Sequence, residues 1–293
     1  MSGLLRGRKG CAVIVVLVLL IAVAAYSALR HFYPVTAAEG WDYSVYAQHI
    51  PMVSALAKDG QNGPFFSEEL ADQRGRIMQL QPDGSMKEVL SGLSKPDGLV
   101  MFNGGLVIGQ EGGDLPLLFE RNGTFTTLFE GKSIEGVATD GHLLYVIEDR
   151  KQDGRLMSYD PQNEQLNVLR EGLVQAEGVA ACPDGQLYYT EKTHGVVKRW
   201  SADGVDPVVA SDLNAPGYVQ CSRDGLWITE DATHGARLLL LGNDGYLRTV
   251  LSHLRSAQTI IELDSGRYLI SEQGRERILQ VFQRSDARAD RLY

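Results

Sequence analysis

An all-β, six-bladed β-propeller of four-stranded blades is the fold this sequence predicts, on three observations. A unit of about 40 residues occurs six times between Met52 and Gln283, and a fixed period of that length built from short strands signals propeller blades. Each unit carries an apolar run that ends in an acid or amide: Phe65–Glu68, Val107–Gln110, Val146–Glu148, Tyr189–Glu191, Trp227–Glu230 and Leu269–Glu272, with steps of 42, 38, 43, 39 and 42 between the last residues. Strand alternation and hairpin turn signals fill the units, and helix periodicity is absent from them.

Blade four shows the elements in order. Glu177 to Cys182 is a short apolar strand, turned by Pro183-Asp184-Gly185, where Pro presets φ and Gly accepts positive φ. Leu187 to Glu191 is rich in aromatic and β-branched residues and reads as the second strand. Lys192-Thr193-His194-Gly195 is a loop, Val196 to Ser201 a third strand, Ala202-Asp203-Gly204 a turn, and a fourth strand lies near Pro207 to Ala210. Elsewhere Asn103-Gly104, Asp140-Gly141, Asp224-Gly225 and Ser265-Gly266 mark the first turns. Third strands open on Arg76, Arg155, Arg237 and Arg277, whereas blade two has Pro116 there and is expected to be distorted or an edge. Blade six lacks a fourth strand of its own. Tyr43 to Ile50 is an unassigned strand ahead of blade one, and it is expected to complete blade six and close the ring.

The expected division is a basic segment at 1–10, a transmembrane anchor at 11–29, a linker at 30–42, the propeller at 43–284 and a polar tail at 285–293. Cys11 to Ala28 is apolar and follows Arg6, Arg8 and Lys9. That pattern predicts a single-pass helix with its N-terminus in the cytoplasm and the propeller outside it, periplasmic or luminal. A cleaved signal peptide, offered by Ala22-Val23-Ala24 and Ser27-Ala28, is the alternative and leads to the same placement. The net charge of −9 argues against nucleic acid as a partner. Cys182 and Cys221 hold equivalent positions in adjacent blades. They read as two buried free thiols, on the view that first strands of neighbouring blades diverge from the axis, with a disulfide in an oxidising compartment as the alternative.

Hairpin symmetry places two rings of residues at one end of the propeller. The inner ring reads Met52, Asp97, Glu135, Glu177, Pro216 and Gln258; the outer reads Glu68, Gln110, Glu148, Glu191, Glu230 and Glu272. Asp97, Glu135 and Glu177 crowd toward a central tunnel. Such crowding makes either a site for a hard ion such as Ca²⁺ or a carboxylate set with a raised-pKa acid or base. The outer ring reads as blade architecture bonded to turn amides; as functional groups, Glu148, Glu191 and Glu230 are candidate substrate contacts. His194 and His234, in matching Thr-His-Gly loops, lie on the same face, His194 as a proton carrier and His234 as a substrate contact.

Pro96-Asp97-Gly98-Leu99 with Asn103-Gly104-Gly105-Leu106, and Ala176-Glu177-Gly178-Val179-Ala180 with Pro183-Asp184-Gly185-Gln186-Leu187-Tyr188, resemble blades of the calcium-dependent phosphotriesterase superfamily. That superfamily includes the senescence marker protein/gluconolactonase and strictosidine synthase-like groups. The resemblance covers Tyr43 to Arg284. It implies a tunnel cation, Ca²⁺ or another divalent ion, held at the starts of first strands. Asp97 matches that pattern, Glu135 and Glu177 occupy corresponding positions, and Gln258 offers an amide oxygen, while Met52 and Pro216 depart from it. The function expected is hydrolysis of a small-molecule lactone or ester, with Glu177 or His194 as general base. The alternatives are a non-catalytic propeller that binds an envelope protein partner or ligand, and metal-free chemistry of the strictosidine synthase kind.

Overall fold

The structure, a computed structural model, describes residues 3–58, 60 and 63–284, with the backbone alone for 3–12 and 30–32. The chain divides into two compact units, Met1–Thr36 and Ala37–Tyr293. The first is one α-helix, Gly3–Phe32. Among the described residues no helix is long and apolar enough to cross a membrane. The transmembrane anchor, and the extracytoplasmic placement derived from it, are corrected accordingly. The basic side chains of 1–10 and the tail 285–293 lie outside the described residues.

The second unit is the predicted propeller. Six sheets each stack four strands from the axis outward, and the sheet of blade five carries a fifth, short strand at its rim. In blade one these are Val53–Ala57, Phe65–Glu68, Gly75–Leu80 and Met86–Leu93; in blade four, Val179–Ala181, Leu187–Glu191, Val196–Arg199 and Val208–Ala210. The first strands touch one another in a closed cycle, each against the next blade's and the sixth against the first. Second strands are the most deeply enclosed: Phe65–Glu68 and Gly105–Gln110 are buried along their whole length because a neighbouring blade covers each face. The apolar cores therefore lie between blades. Leu56 and Phe66 of blade one pack on Ile261 and Leu269 of blade six, and Ala180 and Val197 of blade four on Val219 and Ile228 of blade five.

Trp41–Gln48 pairs antiparallel with Arg277–Gln283 and supplies the outer strand of blade six. Ring closure by an N-terminal strand is thus as the repeat count required, and blade six has no bare edge. Trp41 also stacks edge-on against Trp227 at 5.4 Å, in blade five. In blade two, Pro116–Arg121 is a third strand, yet its first two residues make no pairing with the second strand. Pro116 lacks the donor such a pairing needs.

Cys182 and Cys221 form a disulfide, with Cα atoms 5.4 Å apart. The expectation of free thiols is corrected. First strands of adjacent blades converge around the axis, and this separation lies inside the range a bridge can span.

Candidate functional site at the acidic mouth

A backbone device repeated in every blade builds the mouth. Met52, Lys95, Ser133, Gln175, Ala215 and Ser256 all have positive φ, between 44° and 55°. Each carbonyl accepts a hydrogen bond from the amide of the residue that follows the outer-ring position: Glu69, Glu111, Asp149, Lys192, Asp231 and Gln273, at 2.7 to 2.9 Å. The first strand then enters with a register shift, as between Val53 and Leu56 or Ile134 and Val137. Partners across the first hairpin are therefore Ile134 with Glu148 and Pro96 with Gln110, one residue earlier than turn symmetry predicts. Asp97, Glu135 and Glu177 lie one position further along, on the opposite face of the strand from the outer ring. By the same register the true inner ring reads Ser54, Asp97, Glu135, Glu177, Gly217 and Gln258. Ser54 and Gly217 replace the expected Met52 and Pro216.

The glycine after each inner acid explains how the acids come close. A Cβ on Gly98 would lie 2.4 Å from the Glu135 carbonyl oxygen, and one on Gly136 would lie 2.2 Å from that of Glu177. Only glycine permits this approach of adjacent first strands.

The residues anchored by the repeated amide bond form a ring that sequence reasoning missed: Glu69, Glu111, Asp149, Lys192, Asp231 and Gln273. The signal was present, since each follows directly on a residue of the outer ring. This ring and the inner one together make the site. Carboxylate oxygens of Glu135, Asp149 and Glu177 lie within 4.8 Å of one another, as do those of Glu69, Asp97 and Glu111. The acids singled out from sequence are thus divided, Asp97 in one trio and Glu135 with Glu177 in the other. Gln258 is buried on the same inner ring.

Two lysines thread between the acids. Lys192 Nζ lies 2.5 Å from Glu177 Oε1 and 2.6 Å from Asp231 Oδ2. Lys95 Nζ lies 3.1 Å from Glu69 Oε1 and bonds Glu111. Burial and then the Glu69 charge push the Asp97 carboxyl well above its usual range, and burial and then Glu177 do the same to Glu135. Glu177 is pushed up to about 8 by burial; Lys192 pulls against this and Asp231 adds to it. Burial likewise raises Asp149. Burial draws the Lys192 ammonium down, but Glu177 and Asp231 outweigh that and hold it above its ordinary value.

Tyr218 forms the floor. It comes from blade five, is buried, and its hydroxyl donates to the Asp97 carbonyl of blade two at 2.8 Å, so the ring crosses the axis. Burial and the Asp97 charge raise its phenol. Beyond it, the later halves of the first strands line a cavity of about 280 Å³ with Leu99, Val137, Ala181 and Ile261 on its walls and Lys58 and Glu262 also lining it. The disulfide residue Cys221 lines that same end.

The outer ring belongs to the blades. Glu148 Oε1 accepts from the Lys132 amide at 2.9 Å, Glu191 Oε1 from Val174 at 3.2 Å, and Glu230 Oε1 from Asn214 at 2.7 Å. Each also meets a cation from its third strand: Arg155 Nε lies 2.7 Å from Glu148, Arg237 Nε 2.8 Å from Glu230, and Lys198 bonds Glu191. In blade two, where no such cation exists, the position is neutral Gln110, accepting from Ser94 at 3.0 Å. Glu148, Glu191 and Glu230, expected as substrate contacts, are instead buried and engaged inside the sheet, because the register turns them away from the inner ring. His194 is half-exposed, with Nδ1 3.5 Å from Glu191 Oε1; His234 is half-buried.

No family model matches the chain. The Arabidopsis thaliana protein Strictosidine synthase-like 13 is 27% identical over 175 residues, covering 52% of this chain and 42% of that one, so the chain spans less than half the length of that relative. The structure of XC5397 from Xanthomonas campestris, described as a gluconolactonase, matches with a TM-score of 0.71 at 14% identity, over 85% of this chain and 91% of that one. A streptogramin B lyase matches with a TM-score of 0.59 at 13% identity, over 84% and 100% of the two chains. A nidogen/laminin complex chain matches at 0.60 and 14%, over 74% and 92%. One architecture thus recurs in proteins described as a gluconolactonase, a lyase and part of a nidogen/laminin complex, and function must be argued from the site. The chain is a six-bladed β-propeller with a gluconolactonase among its structural neighbours and a strictosidine synthase-like protein as its sequence relative.

Proposed function

We propose that this propeller is a hydrolase that opens a small-molecule lactone or ester at its acidic mouth, with a divalent cation held by Glu135, Asp149 and Glu177. One observation carries the reading. Glu135 Oε2, Asp149 Oδ1 and Glu177 Oε2 are buried without an N–H partner, and the three carboxylates converge in one trio in which Glu135 meets Asp149. Buried carboxylates left without such partners are costly, and an all-oxygen set of this kind suits a hard ion such as Ca²⁺. The gluconolactonase neighbour supports a lactone as substrate. When bound, the ion would supply Lewis-acid polarisation of the substrate carbonyl.

The chain's own residues supply the rest. Glu177 is the general base: Lys192 holds Oε1 and leaves Oε2 to take the proton of the attacking water. With no ion bound, a carboxyl pushed up to about 8 by burial is matched to proton transfer near neutrality, and a bound ion would lower it. Asp231 keeps Lys192 in place from the far side. Tyr218 bridges blades five and two beneath the acids. His194, turned toward Glu191, leaves the base role to Glu177. The Lys192–Glu177 pair also favours a second reading, in which lysine alone balances the acids and the chemistry proceeds without an ion.

A lactone and ester panel on the wild type and Glu177→Gln, each with Ca²⁺ and with chelator, tests both. Turnover should fall roughly 10²–10⁴-fold in the variant, the usual worth of a general base. Unchanged turnover in Glu177→Gln would remove the base, and turnover indifferent to chelator would select the metal-free reading.

A further inference from the structure

The two carboxylate trios differ in how their oxygens are satisfied. In the Glu135–Asp149–Glu177 trio three oxygens lack donors. In the Glu69–Asp97–Glu111 trio every member has one: Lys95 Nζ meets Glu69 Oε1 at 3.1 Å and bonds Glu111 Oε2, Gln273 Nε2 donates to Glu69 Oε2 at 2.7 Å, and the Ser54 hydroxyl donates to Asp97 Oδ1. The cation inside this second trio comes from an unusual place. Lys95 is the left-handed residue ahead of its first strand, with φ of 49°. Its counterparts in the other blades are Met52, Ser133, Gln175, Ala215 and Ser256, none of them charged. The ammonium is therefore particular to the one blade whose inner acid, Asp97, has Glu69 and Glu111 for neighbours.

We propose that the Lys95 ammonium is a resident counter-ion standing where a second divalent cation would bind, so that the mouth accepts one ion and not two. This deepens the reading above by fixing the number of ions, and it is separable from it. A lysine head is a compact point charge on a flexible stem, able to sit among oxygens that a hard ion would otherwise gather. Being tethered, it cannot be chelated, so this half of the mouth keeps its form when no ion is bound.

Isothermal titration of the full chain with Ca²⁺ tests the assignment on the wild type, Lys95→Met, Lys95→Gln and the double variant Lys95→Met/Glu111→Gln. The expected stoichiometry is one ion for the wild type, two for either single variant, and one again for the double. Lys95→Gln keeps a donor toward Glu111 and covers the case in which Met at this position prevents folding. Thermal melts give a second readout: chelator should lower the Tm of the single variants more than that of the wild type, and Ca²⁺ should restore it. A wild type that binds no ion beside variants that bind one would support the resident lysine while removing the cation from the proposed function. Equal stoichiometry in the wild type and single variants, whatever its value, would overturn the proposal.

Discussion

Replacing Glu177 by Gln isolates what burying this carboxyl costs the fold. Its proton is held with a pKa of about 8 in the folded chain against 4.5 when unperturbed. The folded state thus binds the proton more tightly than the unfolded one. The stability this group contributes is complete below pH 4.5 and is lost as pH rises through about 8. Within that window the loss is about 1.36 kcal/mol per pH unit, so between pH 5 and pH 7 the wild type should lose roughly 2–3 kcal/mol through Glu177 alone. Asp97 and Glu135 are displaced in the same direction and add to the slope in both proteins. Gln preserves the shape and does not titrate. Urea unfolding at pH 5, 6 and 7 in the presence of chelator, followed by tryptophan fluorescence, should show the variant losing less stability with pH than the wild type, by an amount of that order. Ca²⁺ should flatten the wild-type slope, because an ion among the acids favours their charged forms. Parallel pH dependence in the two proteins would refute the claim that Glu177 is held protonated by its surroundings.

Two further outcomes follow from the blades. Cys182→Ser opens a covalent loop of sequence separation 39 and should lower the unfolding free energy by about 4 kcal/mol on the chain-entropy account, read as a shift in urea midpoint at unchanged slope. Arg237→Ala leaves the buried Glu230 with backbone amides alone and should cost about 3–5 kcal/mol. Adding Glu230→Gln should recover most of that, since blade two already runs with Gln110 and no cation.

Blade number and ring closure were legible because turn residues and apolar runs recur at nearly constant spacing, and because a unit short of one strand implies a strand found elsewhere. The inner acids were legible for the same reason. Register was not. Counting outward from the turn assumes a regular hairpin, whereas the bulge at the start of each first strand moves the pairing by one residue. That shift hid Ser54 and Gly217, and it placed the outer glutamates on the same face as the inner acids when they lie on the other. The second ring was missed because attention stopped at Glu68, Glu148 and their counterparts. The residues one step beyond them alternate onto the axis, and two of those that shape the site most, Asp149 and Lys192, are found there. The disulfide was misjudged because convergence of first strands is a property of the closed ring, which no single blade displays.

Tyr218 joins blade five to blade two across the centre and also lines the cavity on the reverse side. That chamber has Lys58 and Glu262 among its lining and none of the three inner acids. A distortion of the Tyr218 ring would therefore be felt at the acidic mouth and in that chamber together.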